Sequence, residues 1–280
     1  QTRIRRLADA FFEEVVAIRR HLHQHPELSF QEKETSAFVA GRLAEWGIPF
    51  RDQVAGYGIV AQIGHGSGPV LALRADMDAL PIQEQNEVPY CSRKQGIMHA
   101  CGHDVHTASL LGAARILKEL EAELPGRVRL FFQPAEEKLP GGASLMIKEG
   151  VLRELPPRVI FGQHVHPPLQ AGKVGFRAGR YMASADELYI TVKGRGGHGA
   201  LPQDCLDPIT MTAQLITGLQ QIVSRYGDPT IPSVLTIGKI NSEGGATNII
   251  PNAVHLEGTF RTMDEPWREE AHRRMQKMAE

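Results

Sequence analysis

Three short apolar runs, Pro69 to Leu73, Val128 to Phe132 and Val159 to Phe161, each give way to a cluster of acids or histidines. The first ends in Arg74-Ala75-Asp76-Met77-Asp78, the second in Gln133-Pro134-Ala135-Glu136-Glu137, the third in Gly162-Gln163-His164-Val165-His166. Runs this dense read as strands buried on both faces, and a helical stretch from Val105 to Leu120 separates the first two. Strands alternating with helices imply an α/β fold with a mostly parallel sheet covered on both sides. In such sheets ligands bind outside the carboxyl ends of the strands, so the three tips are expected to converge on one cleft.

Helices precede this pattern. Ile4, Leu7, Phe11, Val15, Ile18 and Leu22 recur at intervals of three or four, the stripe of an amphipathic helix that stops at His25-Pro26. Val39, Leu43 and Trp46 share a second helical face, closed by Gly47 as a left-handed cap, and Ile48-Pro49 opens an extended segment. From about residue 183 the texture changes. Leu188, Ile190 and Val192 alternate with polar residues, as do Val254, Leu256 and Phe260, the pattern of half-buried antiparallel strands. Asp207-Pro208 opens a helix between them, Ser233 to Ile240 reads as a further strand, and Asp264 to Glu280 reads as a closing helix.

The chain of 280 residues is therefore expected to form two domains, 1–180 and 181–280, the second in the order βαββα. That order lacks one strand of the ferredoxin-like split βαβ sandwich, and its last helix carries no stop signal, which gives the expectation of a second domain truncated at its C-terminus. A balance of 31 basic against 32 acidic residues argues against nucleic-acid or membrane-surface binding by bulk charge. No apolar run approaches the roughly 20 residues of a membrane span, and the charged, amphipathic start does not read as a signal peptide. Three widely spaced cysteines, Cys91, Cys101 and Cys205, make no disulfide framework, so a reducing cytoplasm is the expected setting.

The sharpest chemical cluster is Met98-His99-Ala100-Cys101-Gly102-His103-Asp104. A thiol and an imidazole two residues apart before a helix N-terminus can face one ion, and the helix dipole favours the thiolate that metals bind. A buried cysteine beside a histidine capping a turn would read the same way. Glu136 and Glu137 at a strand tip point in different directions, so one can hold a metal while the other takes a proton from water. Cys101, His103, Glu137 and His164 together supply the sulfur, nitrogen and oxygen donors suited to zinc or a similar ion. Asp76 and Asp78 share a strand face, and Asp78 is favoured as the carboxylate that orients a ligand histidine. Four glycines surround His198 in Gly194 to Gly199, a pattern that a simple hairpin also explains; Asn248 and Arg261 taken alone read as a turn residue and a solvated charge.

Arg19-Arg20-His21 through His25-Pro26-Glu27-Leu28, LRADMDALP, MHACGHDVHT, FFQPAEE with Gly141-Gly142-Ala143, GQHVHP, KGRGGHGALP and GGATNIIPNAV, in this order, resemble the M20 metallopeptidases. The resemblance is to the amidohydrolase branch, with its hippurate hydrolases, auxin-conjugate hydrolases and N-acetyl-diaminopimelate deacetylases. It implies Cys101, His103, Glu137 and His164 as ligands of two divalent ions, Mn2+ or Zn2+, and Glu136 as general base. It further implies a small lid domain that forms a homodimer, with His198 reaching the partner's cleft to steady a carbonyl oxygen and Asn248 and Arg261 binding substrate. The family usually carries another ligand histidine near its C-terminus, which this chain lacks, and often a second histidine where this chain has Gln203. The expected reaction is hydrolysis of the amide of an N-acyl amino acid or similar small conjugate. Two alternatives stay open: Cys101 as a nucleophile with His103 as its base, and an inert or purely dimerising remnant.

Overall fold

The structure, a computed structural model, describes residues 2–280. The chain divides into two compact units, one up to Gln170 and one from Ala171 to Glu280. The division falls earlier than the expected boundary after Arg180. The coil that follows Gln170 is tied to the second unit, where Ser184 N donates to Thr262 O (2.7 Å) and Arg180 pairs with Asp264 (2.6 Å).

The first unit runs α1 (Thr2–Gln24), α2 (Lys33–Glu45), β1 (Phe50–Val54), β2 (Gly58–Ile63), β3 (Val70–Asp76), α3 (His103–Glu119), β4 (Arg127–Gln133), α4 (Gly142–Lys148) and β5 (Val159–Gly162). Its sheet has the order β1-β2-β4-β3-β5. The three site-bearing strands β4, β3 and β5 are mutually parallel, while β2 pairs antiparallel with both β1 and β4. The β1–β2 hairpin was not expected from the sequence. Its turn places Ala55 and Gly56 at φ +53° and +93°, the left-handed geometry such a tight reversal demands.

One sheet face packs on α1, α2 and α3 through Leu22, Val39, Leu43, Ala75, Leu111, Leu130 and Phe132. The other packs Ala72 and Phe131 against Met146 and Val151 beside α4. The apolar stripe of α1 sinks along its length, from the exposed Ile4 to the buried Ile18 and Leu22. Gly112 of α3 permits close packing there, since a Cβ would meet Val15 Cγ2 at 2.8 Å. The third apolar run is not buried on both faces as expected: β5 is an edge strand, and Val159, Ile160 and Phe161 are exposed. Apolar density marks a strand but does not show how many neighbours it has.

The second unit contains β6 (Asp186–Lys193), β7 (Gly197–His198), α5 (Pro208–Gln221), β8 (Ser233–Ser242), β9 (Ile249–Ile250), β10 (Ala253–Thr262) and α6 (Glu265–Ala279). An antiparallel sheet of order β6-β10-β8 buries Leu235 and Phe260 against Leu219, Ile222, Ala271 and Met275 of the helical layer. Asp207 and Asp264 cap α5 and α6 by accepting from Ile209 N and Trp267 N, each at 2.9 Å. Among the described residues no helix is long and apolar enough to cross a membrane.

Candidate functional site

The tips of β3, β4 and β5 and the start of α3 meet in the first unit. Helix α3 begins at His103, two residues earlier than its periodicity indicates, so Cys101 lies just ahead of the helix and His103 in its first turn. Gly102 between them adopts φ +90°, and a Cβ there would strike Val165 beside His164. That close approach brings the third tip onto the helix start. Cys101 Sγ lies 3.3 Å from His164 Nε2, and His103 Nε2 lies 3.7 Å from Glu137 Oε1.

In the neutral form of each ring the proton belongs on the far side, facing an acceptor. His103 Nδ1 donates to Asp78 Oδ1 (3.2 Å), and His164 Nδ1 donates to Val165 O (2.7 Å), which leaves both Nε2 atoms free as donors of an electron pair. Asp78 does more than orient His103. Its Oδ2 also accepts from Ser29 Oγ (2.6 Å) and from Glu137 N (2.9 Å), so one carboxylate holds parts of two tips.

Asp76 and His106 form a second pair that sequence reasoning missed. His106 Nδ1 donates to Asp76 Oδ1 (2.6 Å), Val165 N donates to His106 Nε2 (3.0 Å), and the His106 ring meets His164 edge-on at 4.6 Å. The signal was present, because His103 and His106 are spaced i, i+3 on one helix face. Behind them His23 donates from Nδ1 to Asp104 Oδ2 (2.8 Å) and from Nε2 to Glu84 Oε1 (3.1 Å), and Arg19 pairs with Asp104 at 2.8 Å.

The cleft carries a surplus of negative groups. Burial pushes the Cys101 thiol up to about 12, and Glu137 and Glu136 add to that effect. Burial and then Glu137 raise the Glu136 carboxyl. Asp76 runs the other way: burial opposes its charge, but the hydrogen bond from His106 and the nearby His103 and Arg74 hold it well below the usual carboxylate range. His103 is raised, since Asp78, Asp76 and Glu137 outweigh its burial. Its Nε2 is buried with no hydrogen-bond partner. An unpartnered ring nitrogen beside a thiol and carboxylates is what a divalent cation satisfies. Cys101, His103 and His164 form one group with ligand atoms within 4.8 Å of one another, and His103, Glu136 and Glu137 form another.

In the second unit His198 and Asn248 meet where β7 pairs antiparallel with β9, a ribbon of two strands distant in sequence, and Gly199 N donates to Asn248 O at 2.8 Å. Both side chains are exposed. Arg261 is not near them. It pairs with Val234 toward the far end of β10, about 26 Å along the strand from Ala253, which follows β9.

Residues 72–280 match the peptidase family M20/M25/M40. The chain is 46% identical over 266 residues to the N-acyl-L-amino acid amidohydrolase of Geobacillus stearothermophilus, covering 95% of this chain and 71% of that protein. It is 48% identical over 263 residues to the N-acetyl-L-cysteine deacetylase of Bacillus subtilis, covering 93% of this chain and 62% of that one. A crystal structure of a dinuclear metal-binding M20 peptidase from Bacillus subtilis superposes with a TM-score of 0.78 at 41% identity, over 97% of this chain and 70% of that one. The chain thus spans 62–71% of the length of these relatives. With the family's sequence pattern extending through both units, and a solved member sharing the fold, this chain belongs to peptidase family M20/M25/M40.

Proposed function

We propose that the protein is a metal-dependent amidohydrolase that cleaves the amide bond of N-acyl amino acids or similar small conjugates. The observation that carries this reading is the meeting of Cys101, His103, Glu137 and His164, with Glu136 beside them, at three strand tips and one helix start. These four side chains would hold two divalent ions, Mn2+ or Zn2+. Such ions polarise the scissile carbonyl and acidify the attacking water.

The chain's own groups do the rest. Glu136 takes a proton from the water as its oxygen bonds to the acyl carbon, then gives that proton to the amine nitrogen as the C–N bond breaks. The products are the carboxylic acid and the amine, which pass to a carboxylate and an ammonium by transfer of the remaining proton. Asp78 keeps His103 in the tautomer whose Nε2 would be free to hold an ion, and holds the Glu137 amide. His198 steadies the carbonyl oxygen as it gains charge, acting in the cleft of a partner chain in a homodimer formed through the second unit. Asn248 and Arg261 bind the substrate, Arg261 its carboxylate. Free Cys91, Cys101 and Cys205 suit a reducing cytoplasm. The surplus of carboxylates around Cys101 weighs against a thiolate nucleophile, which needs an electropositive setting.

The test is a panel of acetyl, benzoyl and indole-acetyl amino acids offered to the protein after chelation and again after reloading with Mn2+ or Zn2+. Hydrolysis that disappears with chelation and returns with metal is expected. Hydrolysis indifferent to chelation, or no hydrolysis of any member by the loaded protein, would overturn the reading.

A further inference from the structure

Glu32 is fully buried, and the reaction proposed above gives it no task. It stands at the N-cap position of α2, yet its side chain makes no capping bond. Glu27 does that work instead, accepting from Glu34 N at 3.2 Å and Thr35 N at 2.8 Å. Glu32 reaches across the unit to the tip of β4, where its Oε1 accepts the N–H of Ala135 at 2.6 Å and its Oε2 is left without a partner.

Ala135 is where the chain turns into Glu136-Glu137. It is buried and adopts φ +46°, a left-handed conformation that an alanine does not choose unaided. Its carbonyl accepts from Gly142 N at 2.8 Å, and Glu137 N donates to Asp78 at 2.9 Å. Gly142 must be glycine for this, because a Cβ would collide with Pro134 O. The turn is thus pinned on both sides of Glu136, and Glu32 supplies the pin at its entry.

We infer that Glu32 is a positioning residue: by holding the Ala135 amide it fixes the strained turn that sets the directions of Glu136 and Glu137. The inference rests on the reading of Glu137 as a metal ligand. Geometry rather than charge is what the role requires. Glutamine keeps an acceptor oxygen at the same reach, whereas aspartate keeps the charge but withdraws the oxygen by one methylene.

The test is Zn2+ affinity of the 280-residue chain, measured by chelator competition, in Glu32→Gln, Glu32→Asp, Glu32→Ala and Glu137→Ala, with circular dichroism to confirm folding. Glu32→Gln should stay within about 3-fold of the wild type, while Glu32→Asp and Glu32→Ala should weaken binding about 10–100-fold, the range typical of losing a group that supports a ligand. A merely structural Glu32 would not distinguish glutamine from aspartate in this order. If Glu32→Ala does not fold, the Gln and Asp pair decides. Wild-type affinity in Glu32→Asp, or a larger loss in Glu32→Gln than in Glu32→Asp, would overturn the inference while Glu137→Ala still weakens binding. Unchanged affinity in Glu137→Ala would overturn the ligand reading itself.

Discussion

The two regions that carry candidate site residues are built on opposite principles. In the first unit Asp76, Asp78, His103 and His106 are sunk at the ends of parallel strands and the start of α3 and bonded to one another, with Glu136, Glu137 and His164 exposed around them. Asp78 alone joins His103, Ser29 and the Glu137 amide. In the second, His198 and Asn248 stand exposed on a two-residue pairing, and Arg261 lies at the other end of a ten-residue strand. The buried network crowds like charges and ties them together by hydrogen bonds. The exposed residues are presented outward and take their meaning from whatever binds them. Substitutions should separate along the same line: metal affinity should respond only to the first unit, whereas turnover should respond to both.

The largest effect is expected at Glu136. Glu136→Gln should lower kcat by about 10^2–10^4-fold while metal stoichiometry is retained, because the amide cannot take the proton but leaves Glu137 and His103 in place. Turnover at the wild-type rate would remove Glu136 from the mechanism.

His198→Ala comes next, with a kcat loss of about 10^2–10^3-fold, as for removing one donor to a developing oxyanion, and with unchanged metal affinity. Mixing this variant with Glu136→Gln chains should restore part of the activity, since one cleft of the mixed dimer receives both an intact glutamate and an intact histidine. No recovery despite demonstrated subunit exchange would break the proposed division of labour between partner chains.

Cys101→Ser replaces a thiolate by a hydroxyl and should weaken metal binding on the order of 100-fold, with excess Mn2+ or Zn2+ restoring some activity. Complete loss of activity at unchanged metal affinity would instead favour a nucleophilic role for the thiol.

How much of this was legible in the sequence follows from the range of each interaction. Cys101, His103, Glu136, Glu137 and His164 could be named because each lies within a few residues of a strand end or a helix start, which are local signals. Strand alternation puts Asp76 and Asp78 on one face, and Asp78 is preferred only because Asp76 could as easily cap a turn; the structure places both against histidines of α3. The task of Asp76 was hidden in His106, one helical turn past His103. Glu32 left no local trace, because its partner Ala135 lies 103 positions away. The exposure of β5 was also invisible, since periodicity reports the strand and not its neighbours.

The smallest effect concerns pH. His23 is raised above its ordinary value by its hydrogen bond to Asp104, with burial opposing and Glu84 assisting. A histidine whose folded pKa exceeds the unfolded value of about 6.5 contributes stability that is complete below that pH and is lost as pH rises through the folded pKa. The melting temperature of the metal-free protein should therefore fall by a few degrees between about pH 6.5 and pH 8.5. His23→Gln should flatten part of that fall; His103 and the Cys101 thiol are raised in the same direction, while His99, which burial holds down to about 4, opposes them. A melting temperature that climbs across this window would contradict the charged network behind the cleft.

The most direct test of the central claim, that the strand tips hold divalent ions through Cys101, is a Co2+ titration of the chelated protein followed by absorption. The account predicts a near-ultraviolet thiolate-to-cobalt band that grows with added Co2+ and is absent in Cys101→Ser, alongside d–d intensity that survives there at higher Co2+. A wild-type protein that binds Co2+ without a thiolate band, or a band unchanged in Cys101→Ser, would contradict it.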